Sequence, residues 1–134
     1  MDGRENWHER VISEICAKMT YLMNLTEINV SKKQKRGSDI EIVIKKNKRK
    51  INIEVQQFDS GAGWKTKTIP SWENRHDLFT FIIFTEPTIE RIVKLIPQHQ
   101  EYNFFRRDDV FLFSETQIQE IVSFIGTIVL TKDF

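Results

Sequence analysis

The residues in this sequence best suited to chemistry are two acids and an amide. Asp39 precedes the apolar segment 40–44, and Glu54 comes fifteen positions later, in the run Glu54-Val55-Gln56. In both segments isoleucine or valine alternates with polar residues, which predicts two β-strands that each have an apolar and a polar face. Neighbouring strands would bring the carboxylates of Asp39 and Glu54 together on the polar face. Because two such carboxylates repel each other, we expect a divalent cation with oxygen ligands at this point.

Two basic clusters, residues 32–36 and residues 45–50, flank this pair of acids. Although the net charge is only +1, residues 1–67 carry 14 lysines and arginines against 9 acids, and residues 68–134 carry 6 against 10. Cations beside a carboxylate site suit a polyanionic substrate, since they neutralise phosphates while the acids hold a metal. A metal-bound water is also the nucleophile that phosphodiester hydrolysis needs near neutral pH. The alternative is that the second cluster is simply a solvated hairpin turn.

Hydrophobic periodicity predicts the elements that would position these residues. A helix is expected over residues 7–24, with Asn6 as its N-cap and Glu9 as the capping-box partner. The other expected elements are strands at 26–31, 40–44, 50–56, 78–84 and 109–113, a long loop at 58–77 with room for a helical turn, and a helix at 86–97. A last helix is expected after a capping box of Ser114 and Gln117, and the tail through Leu130 either continues that helix or forms an edge strand. The strand at 78–84 is almost continuously apolar, which predicts burial on both faces. This order predicts an α/β fold with a mixed central sheet of about five strands flanked by helices.

Length and composition indicate one domain over residues 1–134, of which 40% are hydrophobic. No apolar run reaches about 18 residues, so a membrane-spanning helix is not expected. The polar N-terminus lacks the apolar core of a signal peptide, and a single cysteine, Cys16, cannot form an internal disulfide. We therefore expect a cytoplasmic protein with no membrane partner.

The pattern G-S-D-I-E-I-V followed by I-N-I-E-V-Q resembles the PD-(D/E)xK nuclease superfamily, which includes many type II restriction enzymes, RecB-type nucleases and archaeal Holliday junction resolvases. The order of elements over most of the chain is also similar, and the opening His8-Glu9-Arg10 looks like the first helix of the resolvases. The resemblance implies a restriction-endonuclease-like core. It also implies a metal-dependent endonuclease of the resolvase, repair or restriction type that hydrolyses DNA phosphodiester bonds, with Mg²⁺ as cofactor and Mn²⁺ as its substitute.

The same resemblance implies roles for individual acids. Asp39 and Glu54 would bind Mg²⁺ together with the main-chain carbonyl of Val55. Glu9 would be an acid carried to the site by the first helix, with Glu14 as the alternative. From the residues alone, Glu9 is equally well explained as a capping-box residue.

Gln56 stands where most members of the superfamily have lysine. Some restriction enzymes of the superfamily also carry glutamine there, so the resemblance implies that Gln56 positions the attacking water. A glutamine amide brings no positive charge, and Lys65 or Lys67 in the following loop could supply the missing cation. The residues expected to contact substrate phosphates are Lys35, Arg36, Lys65 and Lys67.

DNA is the expected partner, with RNA left open, and we expect a homodimer because two sites are needed to cut two strands. One alternative is a catalytically inactive nucleic-acid-binding module of the same fold. Another is a protein–protein interaction domain that uses its loops rich in tryptophan and phenylalanine. Trp64 could stack on a base, or it could fold with Trp72 onto the core or a dimer contact. Residues 104–107 are interpreted as core aromatics followed by solvated arginines.

Overall fold

The computed structural model describes residues 3–25, 27–32, 39–59, 61–74 and 78–131. Its helices and strands are α1 (Gly3–Leu25), β1 (Ile28–Lys32), β2 (Ile40–Ile44), β3 (Lys50–Val55), α2 (Ile69–Glu73), β4 (Phe79–Phe84), α3 (Glu86–Leu95), β5 (Val110–Ser114) and α4 (Ile118–Leu130). A π-helical turn, Trp64–Thr68, precedes α2, and 3₁₀ segments span Ile96–Gln98, Gln100–Arg106 and Glu115–Gln117.

The five strands form one mixed sheet in the order β1-β2-β3-β4-β5. The first three strands are antiparallel, and β3, β4 and β5 are parallel to one another. Ile40 pairs with Ile53 between β2 and β3, so the isoleucine stripes of the hairpin lie side by side on one face. The predicted α/β class, with a mixed sheet of about five strands, is confirmed.

Helices α1 and α4 cover one face of the sheet. The core between them and the sheet is mainly aliphatic, and its fully buried members include Ile15, Met19, Ile40, Ile42, Ile51, Ile53 and Phe81. The second core lies on the opposite face, over β4 and β5, and is mainly aromatic, with Trp64, Trp72, Phe84, Tyr102, Phe104 and Phe105. β4 contributes to both cores, which confirms its predicted burial on two faces.

The hairpin strands have a mainly polar row on the face opposite α1 and α4, because their isoleucines and Val55 point toward those helices and only Val43 among their apolar residues lies on the other face. Alternation puts Glu41, Lys50, Asn52 and Glu54 in this row. Asn52 and Glu54 are buried, whereas Lys50 is exposed. The two ends of β3 on this face therefore differ, with a solvated lysine at one and a buried carboxylate at the other.

Some predicted boundaries were wrong. Helix α1 begins at Gly3, so Asn6 is not its N-cap and Glu9 lies in the second turn, away from a capping position. The predicted long loop contains ten helical residues, because Trp64, Ile69 and Trp72 pack into the aromatic core and Pro70 starts α2.

At the C-terminal end, the capping box of Ser114 and Gln117 is confirmed. Residues up to Leu130 continue α4, which excludes the alternative of a final edge strand there. β5 is the edge strand beside β4, and its ends are buried while its central residues are half-buried against the two cores.

Candidate active site

The carboxylate of Asp39 lies at the end of the sheet where β2 begins and β3 ends. Since Ile40 pairs with Ile53, the antiparallel register continues with Asp39 opposite Glu54. Oδ2 of Asp39 accepts a 2.7 Å hydrogen bond from the backbone N–H of Val55. The Asp39 side chain is 25% exposed. The two predicted acids thus lie at adjacent strand ends, as the period-two pattern requires.

Glu54 occupies the last polar position of β3 and is only 6% exposed. Across the parallel pairing it lies beside Ile82 of β4, and Asn52, two residues earlier on the same face, is also buried. A carboxylate in such a position needs polar partners, because an ionised group loses its hydration on burial. Glu54 is therefore held by the fold beside the half-buried carboxylate of Asp39.

The backbone N–H groups of Val55 and Gln56 point toward opposite edges of β3. The N–H of Gln56 donates to the carbonyl of Ile83 at 2.8 Å, which extends the parallel ladder past the end of β3. The N–H of Val55 points to the other edge, toward Asp39. Because the N–H and C=O of one strand residue face the same edge, the Val55 carbonyl also faces the side of Asp39. Its oxygen and the two carboxylates form a set of hard oxygen donors.

The side chain of Gln56 turns toward the segment that follows β3. Its Nε2 donates a 2.9 Å hydrogen bond to the carbonyl of Phe58. Only the amide nitrogen can donate to a carbonyl, so this contact fixes the orientation of the amide. Its carbonyl oxygen Oε1 then faces away from Phe58 and can accept a hydrogen bond from water.

Helix α1 brings two side chains toward Asp39. Nε2 of His8 lies 3.5 Å from Oδ1 of Asp39, and Nδ1 of His8 lies 3.9 Å from Oε1 of Glu9. Oε2 of Glu9 lies 3.5 Å from Nζ of Lys32 on β1, and the Glu9 side chain is 64% exposed. Glu9 therefore reaches Asp39 through His8, and its carboxylate extends into solvent.

Sequence reasoning gave His8 no role of its own in the site. The feature of the sequence that could have indicated His8 is the position of Asp39 just before β2. Because α1 packs on the same sheet, its first turns lie close to this acid.

The predicted cation Lys65 is engaged elsewhere. Its Nζ lies 3.0 Å from Oε1 of Glu101 and 5.7 Å from the ring centroid of Tyr102. The hydrogen bond with Glu101 raises the pKa of Lys65, and the charge of that carboxylate adds to the effect. Lys67 is exposed in the same π-helical turn. The predicted phosphate-binding residues Lys35 and Arg36 lie outside the described residues.

The tryptophans of the predicted loop are core residues. Trp64 is 4% exposed, its ring meets that of Trp72 edge to face at 5.6 Å, and its Nε1 donates to the Tyr102 hydroxyl at 3.2 Å. A ring this buried presents no face to a base, so the base-stacking interpretation of Trp64 was wrong, and the alternative of packing onto the core is confirmed.

Residues 104–107 follow their predicted division into core and surface. Phe104 and Phe105 are buried, and Arg106 is exposed. Arg107 forms a two-pronged ion pair with Asp109, at 3.0 and 2.7 Å. Hydrogen bonding to Asp109 raises the pKa of Arg107.

A hydrogen-bonded network fastens the segment after Gln56 to α3. Nη2 of Arg91 lies 3.0 Å from Oδ1 of Asp59, whose side chain is 9% exposed, and 3.2 Å from Oγ1 of Thr88. The Thr88 hydroxyl in turn donates to the Gln57 carbonyl at 3.0 Å. Sequence reasoning missed this network because its partners are about thirty residues apart in the chain.

The metal-binding capacity of the site rests on few donors. Within the described part of the chain, histidine, cysteine and acid side chains form no group of three or more that could hold a metal. The donors at hand are the carboxylates of Asp39 and Glu54 and the carbonyl of Val55. Two carboxylates and a carbonyl suit Mg²⁺, which takes oxygen ligands and keeps several waters in its shell.

Comparisons of the chain with protein-family models, curated proteins and solved structures found no match. Among the described helices, none is both long and apolar enough to span a membrane. Function is therefore inferred from the geometry and chemistry of the residues themselves.

Proposed function

We propose that the protein is a metal-dependent endonuclease that hydrolyses DNA phosphodiester bonds, of the Holliday junction resolvase, repair or restriction type. The observation that carries the proposal is the 2.7 Å hydrogen bond from Val55 N–H to Asp39, directly beside Glu54. This contact joins the start of β2, where Asp39 lies, to the end of β3, which carries Glu54 and the Val55 carbonyl. The PD-(D/E)xK pattern requires the same three oxygen donors.

The topology supports the finer proposal of a restriction-endonuclease-like core. A helix precedes three antiparallel strands, and a strand parallel to the third follows after a helical layer. The pair of acids lies where the second strand begins and the third ends. A mixed sheet with this order supplies one polar sheet end next to the N-terminal turns of α1.

In this proposal Asp39, Glu54 and the Val55 carbonyl hold Mg²⁺, for which Mn²⁺ can substitute. When bound, the metal would make a water nucleophilic near neutral pH and offset charge on the phosphate. Gln56 accepts a hydrogen bond from the attacking water at Oε1, because its Nε2 is held by the Phe58 carbonyl. Glu9, exposed and linked to Asp39 through His8, assists through water.

A catalytically inactive nucleic-acid-binding module is the second candidate, and one observation favours it. The residue at the lysine position, Gln56, is uncharged, and the ammonium group of Lys65 is taken up by Glu101. A site that lacks a cation near the phosphate would bind nucleic acid without stabilising the transition state. By contrast, burial of Trp64 and Trp72 removes the main support for a protein–protein interaction domain.

The experiment that tests the proposal uses the purified protein with plasmid, linear duplex, single-stranded and four-way-junction DNA, in Mg²⁺, Mn²⁺ or EDTA. Glu54→Gln removes one proposed ligand, and Glu90→Gln, an exposed acid on α3, is the matched control. Thermal unfolding of both variants checks folding. RNA substrates and sedimentation of the wild type test the partner and the homodimer.

Cutting that requires the metal, is lost in Glu54→Gln and survives in Glu90→Gln would support the endonuclease. Cutting by all three proteins would indicate a contaminating nuclease and remove the support. DNA binding without cutting would favour the inactive module. A protein that neither binds nor cuts nucleic acid would overturn both candidates.

A further inference from the structure

The turn between β2 and β3 is the most strongly basic surface in the described part of the chain. Residues 45–50 comprise this turn and the first residue of β3, and all six are exposed. Five of them are cationic: Lys45, Lys46, Lys48, Arg49 and Lys50. Two acids lie near it. Glu41 is 3.9 Å from Lys50, and Glu27 lines a cleft together with Lys46. Lys48 and Arg49, at the tip, form no ion pair with any of the described residues.

The turn is ordered by its own hydrogen bonds. The N–H of Ile44 donates to the Arg49 carbonyl at 2.9 Å, and the N–H of Lys48 donates to the Ile44 carbonyl at 2.8 Å. Oδ1 of Asn47 accepts the N–H of Arg49 at 3.0 Å. The cations are thus presented by a fixed backbone, which lowers the entropy lost when a partner binds.

Lys48 has a backbone conformation that lysine rarely adopts. Its φ is 61°, and among the described residues it is the single non-glycine with a positive φ. Glycine or asparagine would adopt this left-handed conformation at lower energy. A strained position that keeps a cation at the tip of a basic turn points to a function for that cation.

The turn lies at the far end of the hairpin from Asp39 and Glu54. Five residue steps separate Asp39 from Ile44, which amounts to roughly 17 Å along a strand. That distance equals the rise of about five base pairs along the axis of a duplex. Lys50 lies on the same sheet face as Glu54, so the turn and the acids border one face.

We propose that residues 45–50 form a second contact to the phosphate backbone of nucleic acid, displaced from the catalytic acids by about five base pairs along the duplex axis. The proposal rests on the proposed function for its partner and deepens it, because it sets the length of duplex that one protomer covers. Lys48 and Arg49 make the main contacts, since Lys46 and Lys50 have acids nearby.

The test measures binding of a fluorescent duplex by anisotropy in EDTA, over a series of salt concentrations. Lys48→Gln/Arg49→Gln removes one lysine and one arginine from the turn. Lys94→Gln/Arg106→Gln removes the same two residue types from exposed positions on α3 and the 3₁₀ segment. Lys48→Arg/Arg49→Lys keeps both charges and checks that the turn tolerates substitution.

The expected result is a salt slope smaller in magnitude by about 1.8 for the turn variant, since each lost phosphate contact contributes about 0.9. The slopes of the other two variants should equal that of the wild type. Equal slopes for the turn variant and the Lys94/Arg106 variant would overturn this inference even if the wild type cuts DNA. A wild type that binds through the turn but never cuts would uphold it and refute the endonuclease. No binding by the wild type would overturn this inference, and the cleavage assay with metal would still decide on the endonuclease.

Discussion

The backbone N–H of Val55 donates a 2.7 Å hydrogen bond to Oδ2 of Asp39, and this contact joins the start of β2 to the end of β3. It gives Asp39 two functions. The carboxylate accepts a hydrogen bond from the last backbone N–H of β3, and its second oxygen lies 3.5 Å from Nε2 of His8. The same residue therefore closes the end of the hairpin and supplies half of the proposed metal site.

These two functions of Asp39 can be separated by substitution. Asp39→Asn keeps an oxygen that accepts the Val55 N–H but loses the negative charge. We expect it to lower metal-dependent cleavage by roughly 100-fold, with a change in the free energy of unfolding below about 1 kcal/mol. Asp39→Ala also leaves the Val55 N–H without its acceptor and should destabilise the protein by about 1–2 kcal/mol. Cleavage assays and urea denaturation measure the two effects, and wild-type cleavage by Asp39→Asn would rule out Asp39 as a ligand.

The hairpin and its acids were predictable because a period of two leaves little choice. The stripes of Ile40–Ile44 and Lys50–Val55 fix which residues face the helices, and pairing them fixes that Asp39 lies opposite Glu54. The central strand β4 was predictable for a similar reason, since a continuous apolar run must be buried on both faces.

Other features depend on contacts between distant residues and leave little local signal. The π-helical turn and α2 form where Trp64 and Trp72 reach Tyr102 and Phe105, which lie more than thirty residues later in the chain. Lys65 follows Trp64 into this layer and meets Glu101, which a sequence pattern does not indicate. The predicted start of α1 was wrong by several residues. Asparagine is a favoured N-cap residue but is also tolerated inside a helix, so Asn6 alone does not locate the helix start.

Gln56 gives the second prediction. Gln56→Lys adds the ammonium group that the PD-(D/E)xK pattern has at this position, and Gln56 is half-buried at the end of the ladder, so the longer side chain has access to solvent. We expect cleavage to rise roughly tenfold, because a cation beside the phosphate stabilises developing negative charge. Gln98→Lys makes the same change at an exposed position and should leave the rate unchanged. A rate unaltered in both Gln56→Lys and Gln56→Ala would exclude Gln56 from the reaction.

The Arg91–Asp59 pair should position Gln56 through the segment that follows it. Arg91→Gln leaves the Asp59 carboxylate, only 9% exposed, without its cation. We expect a loss of about 1–2 kcal/mol in the free energy of unfolding and a fall in kcat larger than any change in KM. Adding Asp59→Asn should restore part of the stability, because the uncompensated charge is then gone.

The control for this pair is Arg106→Gln, an exposed arginine whose loss should change stability by less than about 0.5 kcal/mol. Urea denaturation of the single and double variants gives the coupling energy. If Arg91→Gln changes stability and kcat no more than Arg106→Gln does, the Arg91–Asp59 pair does not position Gln56.

The backbone strain at Lys48 gives a prediction on stability. Lys48→Gly should raise the free energy of unfolding by about 0.5–1 kcal/mol, since glycine adopts a φ of 61° without a Cβ contact. Lys46→Gly, in the same turn but without a positive φ, should lower it because glycine loses more entropy on folding. If Lys48 contacts phosphate, the more stable variant also binds duplex with a smaller salt slope. If Lys48→Gly and Lys46→Gly destabilise the protein equally, the backbone of Lys48 is not strained.

The pH dependence of Cys16 provides the last prediction. Burial raises the pKa of the Cys16 thiol, and the positive charge of Lys32 offsets part of this rise. The folded protein therefore keeps the thiol proton to higher pH than the unfolded chain does. The thiol's contribution to stability is fully present below the pKa of Cys16 in the unfolded chain, about 8.5. It is lost as the pH rises through the higher pKa of Cys16 in the folded protein.

Iodoacetamide reacts with the thiolate, so its rate of reaction with Cys16 measures this pKa. We expect the rate in the native protein to reach its midpoint at a higher pH than in the chain unfolded by concentrated urea. Cys16→Ser should show no labelling and a flatter loss of stability between neutral and alkaline pH. A native midpoint at or below that of the unfolded chain would mean that the charge of Lys32 outweighs burial. In that case α1 would pack less closely over β1 than the buried residues around Cys16 indicate.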